Sequence, residues 1–537
     1  MYISKVSIRN YKIFENTIIN MNPDINIFAG ENDSGKTTIL EAISMCLSGK
    51  INGTNVYSKV TPDWFNINIR NKYKEDVVNC KSANLPKIEI EVFFDGLNDE
   101  DIIFKHYRGT NNSLKEDCVG VRMRIIFNND YCDTYKELLR DKKIIDIPVE
   151  LYKIEYSSFA QGDYYINNTS KKIAIIDTTK KDYGSVLNKF VSNSIASYLS
   201  EEDETNLRLA YRSNRKNFKE SEVVKLLNEK IKDEPVFKGR SISFNLKEGE
   251  IDNWKNEMSL SIDNIPFENS GFGTQNMMKS ELVFNQNIDV DFLILEEPEN
   301  NLSFTNMSIL ISKLSNNKNK QLFISTHSSF VANKLGLNKL HLVANNNVVS
   351  FSSLDKETYN YFVKLPGYNT LRLLLANKII LVEGPADELI IQKAYIDKYE
   401  KLPIDDGIDV LSVGGIAFER YCKIAQLINK EIIIVTDNDG NEQKVKQKYE
   451  EYSSIIKLCI EDDNELNTLE PSVLKANEDN FDMFRSIVYK GNNIANVKYS
   501  DLCDFMIKNK SEWALRIFQS EVKINYPDYI KKAIGDN

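Results

Sequence analysis

One stretch constrains the fold more than any other: "INIFAGENDSGKTTILEAI", residues 25–43. Ile25 to Ala29 is a short apolar run of the kind that makes a strand buried on both faces. Gly30-Glu-Asn-Asp-Ser-Gly35-Lys36-Thr37 then fits G-x-x-x-x-G-K-T, and Ile39, Leu40 and Ile43 follow at helical spacing. In a strand–loop–helix setting this pattern cradles phosphate. The glycines let backbone N–H groups curl around phosphate oxygens, and the helix amino terminus adds its dipole. Gly30, Asn32, Ser34, Gly35, Lys36, Thr37 and Thr38 are therefore the candidate ATP-binding residues. Lys36 is expected to reach the β- and γ-phosphates and Thr37 to hold Mg²⁺. The bland alternative, a glycine-rich turn, is weak once the flanking strand and helix are counted.

Such a loop needs an acidic residue on a neighbouring strand. "DFLILEEPENNL" offers one: Phe292 to Leu295 reads as a buried strand, and Glu296 and Glu297 follow. Glu296 is expected in the Mg²⁺ shell and Glu297 beside the attacking water. Acidic residues with Pro298 also suit a helix amino terminus, and both readings can hold together. "QLFISTHSSF" is another buried strand, ending at His327, one of three histidines. It reads as a γ-phosphate sensor or as a satisfied structural histidine. Upstream, Ser270-Gly271-Phe272-Gly273 reads as a second anion nest opening a helix at about Gln275.

This order resembles the ATP-binding-cassette ATPases of the SMC and RecF type, whose amino terminus is similar to "SIRNYKIFENTIINMNPDINIFAGENDSGKTTILEAI". The resemblance covers residues 1 to about 50 and about 265 to 335. It implies that Ser270, Gly271 and Gly273 form a signature motif completing the ATP site of a partner subunit. It also implies that Glu296-Glu297-Pro298-Glu299 is the Walker B region and His327 the switch histidine. Two departures stand out. Glu296 replaces the usual Asp, and no glutamine occurs between the phosphate loop and Gln161.

The 260 residues between Lys36 and Glu296 are too few for long coiled-coil arms, and no sustained heptad occurs. "KIEIEVFF", "VRMRIIF" and "ELYKIEY" read as strands of an antiparallel sheet. Residues from about 183 to 233 read as helices. Leu187, Phe190, Val191, Ile195, Tyr198 and Leu199 form one apolar face, and Val223, Val224, Leu227 and Ile231 another. A lobe of this kind serves packing or dimerisation. "YRSNRKNFK" (211–219) mixes bases with aromatics, as a nucleic-acid contact would, but a solvated helix face explains it as well.

A second chemistry begins after residue 370. "ANKIILVEGPADELIIQKAY" is strand, turn, helix, with Glu383 at the strand end and Asp387 in the first helical turn. It lacks the lysine and second glycine of a phosphate cradle and presents two carboxylates instead. "DVLSVGGIAFERY" repeats the unit, and "IIIVTDNDGN" closes it with Asp437 and Asp439. The βαβαβ order implies a parallel sheet with strand ends on one side. Alone, "TDNDGN" also reads as a turn around Asp439-Gly440. A calcium loop fails, because Glu442 stands where its glycine belongs and Lys448 where its closing glutamate belongs. Four converging carboxylates point to divalent cations.

This half resembles a Toprim domain, with Glu383 as the strand-end glutamate and Asp437-x-Asp439 the aspartate pair 54 residues later. A cassette ATPase followed by a Toprim domain resembles the OLD-family nucleases, including the nuclease subunit of Gabija antiphage systems. The resemblance implies further residues: Glu470 in "TLE" and Lys510 on a carboxy-terminal helix. It also implies a two-metal Mg²⁺ or Mn²⁺ site on Glu383, Asp387, Asp437, Asp439 and Glu470, with Lys510 stabilising charge. The expected fold is α/β: an ABC-type ATPase (1–165 and 240–360) with an inserted helical lobe (166–239), then a Toprim nuclease domain (361–537). The expected function is nucleotide-regulated DNA endonuclease activity in antiphage defence, as a homo-oligomer, with a separately encoded helicase as partner. The rivals are a topoisomerase- or primase-like Toprim enzyme, an ATP-gated DNA clamp with a silent Toprim fold, and a transporter ATPase.

Composition sets outer limits. A chain of 537 residues, 42% hydrophobic and 27% charged, suits two or three globular domains. A net charge of −10 leaves no global basic field, so any nucleic-acid site must be local. Seven cysteines without a Cys-x-x-Cys pair fit a reducing cytoplasm. Neither a secretory leader nor an apolar run of membrane-spanning length is evident, so no membrane role is expected.

Overall fold

The computed structural model describes residues 1–51, 54–79, 85–96, 106–141, 143–160, 173–177, 199–232, 243–244, 261–284, 291–317, 319–344, 346–352, 355–364, 372–374, 376–414, 418–491 and 494–535. The apolar face from Leu187 to Tyr198, Gln161 and Gly415 lie outside them. Two compact units form. The first comprises Met1–Phe28, Asp33–Thr326 and Asn345–Asn347; the second comprises Ala29–Asn32, His327–Ala344 and Val348–Asn537.

In the first unit, β1 (Tyr2–Tyr11) and β2 (Phe14–Asn20) form an antiparallel hairpin turned at Lys12, which takes φ 50°. β3 (Ile25–Ala29) is buried at every position, as its unbroken apolar run requires. α1 (Lys36–Ser48) follows, burying Ile39, Leu40 and Ile43. β4 (Ile88–Asp95), β5 (Cys118–Phe127) and β6 (Tyr152–Ser158) extend the hairpin into an antiparallel sheet in the order β2-β1-β4-β5-β6. The three expected strands between the motifs are therefore present and paired. β7 (Ile173–Asp177) opens a second sheet.

α2 (Glu201–Lys219) starts on a capping box in which Ser200 and Asp203 satisfy each other's backbone N–H. It carries "YRSNRKNFK" on a largely exposed turn of helix, with Arg215 over the Tyr211 ring. α3 (Glu222–Lys232) follows. α4 (Phe272–Phe284) begins earlier than the sequence suggests, so Gly273 lies inside its first turn. Glycine is required there by a close approach: a Cβ on Gly273 would come 2.4 Å from the Asn301 carbonyl oxygen. β8 (Phe292–Glu296) and β9 (Gln321–Thr326), separated by α5 (Phe304–Asn316), lie parallel to each other and to β7, with β3 beside β9.

The second unit is built on four parallel strands. They are β10 (Lys378–Val382), β11 (Ile408–Ser412), β12 (Ile432–Val435) and β13 (Ile456–Cys459), in the order β11-β10-β12-β13. α6 (Pro385–Tyr399) joins β10 to β11, and α7 (Phe418–Leu427) joins β11 to β12. The chain leaves β10 for β11 on one side and returns to β12 on the other. The crevice where an open α/β sheet places its ligands thus falls between the carboxyl ends of β10 and β12. α8 (Leu469–Ala476), α9 (Phe481–Val488), α10 (Tyr499–Lys508), α11 (Lys510–Gln519) and α12 (Asp528–Ala533) complete the unit. Their apolar residues Val473, Phe484, Leu502, Trp513 and Ile530 share one core with Val382, Ile390 and Val435. Trp513 is wholly buried in it, and a truncation to Ala there costs about 3–5 kcal/mol.

Candidate active sites

The phosphate loop is shaped by Gly35, the residue before α1, at φ 106°. Left-handed backbone suits glycine, and a Cβ here would also run into Ile13 and Phe14. Lys36 is buried, and burial lowers its proton affinity; Glu297, then Asp33 and Glu299, oppose that shift. Thr38 is buried, Thr37 and Asn32 are exposed, Gly30 is buried, and the Ser34 hydroxyl is buried without a hydrogen-bond partner. Thr37 Oγ1 donates to Glu296 Oε2 at 3.4 Å, so the two expected Mg²⁺ residues are neighbours. Glu297 takes φ 47°, a strained conformation for a residue with a side chain, fixed by its N–H donating to the Ser325 carbonyl at 3.0 Å.

Glu299, the last residue of the expected Walker B region and given no role there, is a third acid here. Its Oε1 accepts from Thr326 Oγ1 at 2.5 Å. His327 follows β9 directly and is exposed. Ser270 spends its hydroxyl on the Phe267 carbonyl at 2.7 Å, while Gly271 faces open space.

In the second unit five elements deliver charge to one sheet edge. Glu383 follows β10, and its Oε1 accepts from Thr436 Oγ1 and, at 3.1 Å, from the Asp437 N–H. Asp387, in the first turn of α6, accepts from the Gly384 N–H at 3.1 Å. Asp437 follows Thr436 at the end of β12. Glu470, at the start of α8, is buried and accepts from Thr468 Oγ1 at 2.9 Å. Lys510 opens α11, which packs on α6, and its Nζ lies 3.7 Å from Glu470 Oε1.

These groups feel one another. Burial pushes the Asp387 carboxyl up to about 7, and repulsion from Glu383 and Glu470 adds to it. Asp437 is pushed up to about 8 by burial first, then by Glu383, Asp387 and Glu470, with Lys510 pulling the other way. Two buried aspartates raised further by neighbouring carboxylates mark a place short of positive charge. Hard oxygen donors of this kind suit Mg²⁺ or Mn²⁺. Among the described residues, however, no three acidic, histidine or cysteine side chains stand ready as a metal cage. Glu383 is held by Thr436 and Asp387 by its helix cap, so binding would have to turn these oxygens. Asp439 is exposed, at φ 50° in the turn before Gly440, and it and Glu383 both act on the buried Tyr449 phenol.

Sequence reasoning missed three further residues. Thr436 orients Glu383, and Asn438, between the aspartates, is wholly buried. Tyr529 of α12 is buried, and its phenol is raised well above its usual range by burial and by Asp437, Asp387 and Glu461. No local pattern signals any of them, because their partners lie far off in the chain.

Comparison with known proteins matches this division. A family model described as an AAA ATPase domain fits residues 1–332. The chain belongs to that family. A second, described as "Overcoming lysogenization defect protein-like, TOPRIM domain", fits residues 374–439, which include Glu383, Asp387, Asp437 and Asp439. An ATPase followed by a TOPRIM domain is the OLD-family arrangement. The chain is 24% identical over 495 residues to Endonuclease GajA of Bacillus cereus (strain VD045), covering 83% of this chain and 76% of that protein. It is 42% identical over 55 residues to the DNA replication and repair protein RecF of Clostridium perfringens (strain SM101), only 10% of this chain and 15% of that one. The carboxy-terminal region of the Burkholderia pseudomallei OLD protein aligns with TM-score 0.23 and 19% identity over 30% of this chain and 95% of its own, a likeness too low to carry an argument. Among the described residues no helix is long and apolar enough to cross a membrane.

Proposed function

We propose that this chain is an ATP-binding, divalent-metal-dependent DNA endonuclease whose cutting is regulated by its nucleotide state, acting in antiphage defence. The observation that carries the reading is the convergence of Glu383, Asp387, Asp437, Glu470 and Lys510 from separate elements at one sheet edge. The kinship with an endonuclease supports it.

The roles follow from chemistry. Glu383, Asp387, Asp437 and Glu470, with the more exposed Asp439, would hold Mg²⁺ or Mn²⁺. Two such ions supply Lewis acidity at an attacking water and at the leaving oxygen. Lys510, a cation within reach of the cluster's electrostatics, would stabilise negative charge on the phosphate being cleaved. Asp437 and Asp387, with their raised proton affinities, suit proton transfer near neutral pH. In the ATPase, Gly30, Asn32, Ser34, Gly35, Lys36, Thr37 and Thr38 bind the phosphates. Thr37 and Glu296 hold Mg²⁺, Glu297 polarises water, and His327 senses the γ-phosphate. Ser270, Gly271 and Gly273 serve the ATP site of a second copy. The ATPase (1–165 and 240–360) and the lobe (166–239) would form the homo-oligomer, the TOPRIM domain (361–537) would cut, and a separately encoded helicase would supply DNA.

A DNA clamp with a silent TOPRIM fold is the second reading. The inward hydrogen bonds of Glu383 favour it. Incubating supercoiled plasmid with Mg²⁺ or Mn²⁺, with and without ATP, separates the two. Wild type should nick or cut, Asp437→Ala should not, and Lys36→Ala should lose the response to ATP. A wild type that hydrolyses ATP and binds DNA but never cuts would overturn the nuclease reading.

A further inference from the structure

Asn438 stands between the two aspartates, where a spacer of any type would serve if only spacing mattered. It is instead wholly buried, while Asp439 beside it is exposed. Its Nδ2 donates to two main-chain carbonyls of the segment after β13: Glu461 at 2.9 Å and Asp463 at 2.8 Å. Its Oδ1 accepts from the Gly440 N–H at 2.9 Å. The last main-chain contact between these segments is the long Thr436 N–H to Cys459 carbonyl, 3.4 Å. Beyond it the side-chain amide acts as a substitute peptide group, carrying the pairing of β12 and β13 past the strand ends. A second asparagine closes the clamp from the other side, Asn464 Oδ1 accepting from the Glu442 N–H at 2.9 Å.

We propose that Asn438 is a positioning residue for the metal site: its amide fixes the turn through Asp437, Asp439 and Gly440 against residues 461–463 and so sets where both carboxylates point. The inference rests on the metal-site reading above and deepens it. Without the amide, the Glu461 and Asp463 carbonyls lose this donor, and the turn loses the two bonds that tie its middle to the segment after β13. The aspartates then present to a cation from a wandering loop, and outer-shell losses of this kind weaken metal binding about 10–100-fold.

The unit contains its own control. Asn477 is equally buried and makes the same set of bonds: Nδ2 to the Val473 and Asn525 carbonyls, each at 2.8 Å, and Oδ1 from the Asn525 N–H at 2.9 Å. It makes none of them to the aspartate turn. The test is Mn²⁺ titration of the nucleotide-free full chain by calorimetry, with melting temperature measured alongside, for wild type, Asn438→Ala, Asn438→Leu, Asn477→Ala and Asp437→Ala. Both asparagine sites should lower the melting temperature, but only the Asn438 variants should weaken Mn²⁺ binding, about 10-fold or more. The leucine variant retains the buried volume, so a folding failure of the alanine variant does not end the test. Wild-type Mn²⁺ affinity in a folded Asn438 variant overturns the proposal while leaving the metal site intact. Equal loss in Asn477→Ala overturns it too, by making the effect one of general stability. If Asp437→Ala binds Mn²⁺ as wild type does, the metal-site reading itself falls, and the inference with it.

Discussion

The ATP site and the TOPRIM site solve the same problem, handling phosphate with carboxylates nearby, in opposite ways. The ATP site carries its own counter-charge: Lys36 is buried among Glu297, Asp33 and Glu299, and Thr37 already touches Glu296. The TOPRIM site gathers four carboxylates and, among the described residues, one lysine whose side chain is 58% exposed; burial first, and that crowding second, raises the proton affinity of two of its aspartates. The count is the same in both, four carboxylates to one lysine, and what differs is where the cation stands: buried among the acids in the first, largely exposed at the edge of the second. On the proposed reading, bound cations supply the balance of the second. A site of the second kind should be far more sensitive to pH, to metal and to the removal of single hydrogen bonds.

The largest expected effect separates the sites outright. Lys36→Ala should cut ATP hydrolysis by about 100-fold or more while leaving Mn²⁺ binding at the TOPRIM site unchanged. If both properties fall together, the two sites are not chemically independent. Next in size is Gly273→Ala, whose new Cβ would press on the Asn301 carbonyl; overpacking of this kind costs about 1–3 kcal/mol. It should depress ATPase activity without touching metal binding, measured on the same protein.

The pH dependence follows from the raised aspartates. A carboxyl whose folded pKa lies above its unfolded value binds more protons when folded, so stability falls as pH rises. For Asp437 and Asp387 the window runs from the ordinary carboxylate range, near 4, up to about 8 and about 7 respectively. Calorimetric melting of the metal-free chain from pH 5 to 8.5 should therefore show the TOPRIM transition moving down by several degrees. Asp437→Asn should flatten the slope, and Mn²⁺ should remove most of it. An unchanged or rising transition would contradict the raised proton affinity of the two aspartates. Smallest is Thr436→Val, which keeps shape and removes the hydrogen bond to Glu383. It should weaken Mn²⁺ binding by about 10-fold, read by calorimetry.

The two sites also differ in how far they can be read from sequence. The phosphate loop is contiguous, and strand, turn, glycines and helix each appear in the order that their geometry needs. Glu383 and Asp437 were legible for a related reason: each ends a short, unbroken apolar run, and strand ends share a sheet edge. Asp439 was less so. Alternation in an extended strand would put residues 437 and 439 on one face, but the chain has already left the strand and takes a left-handed conformation at Asp439, which is exposed where Asp437 is half-buried. Thr436, Asn438 and Tyr529 were not legible at all, because what gives each its role is a partner across the fold. The demand for glycine at 273 escaped for a like reason: it comes from the distant Asn301 carbonyl.

The most direct test of the TOPRIM account removes charge and little else. Asp437→Asn retains the size of the side chain, so supercoiled plasmid incubated with it and Mn²⁺ should stay supercoiled while ATP hydrolysis runs at the wild-type rate. Cutting at the wild-type rate by this variant would contradict the claim that the clustered carboxylates are the nuclease centre.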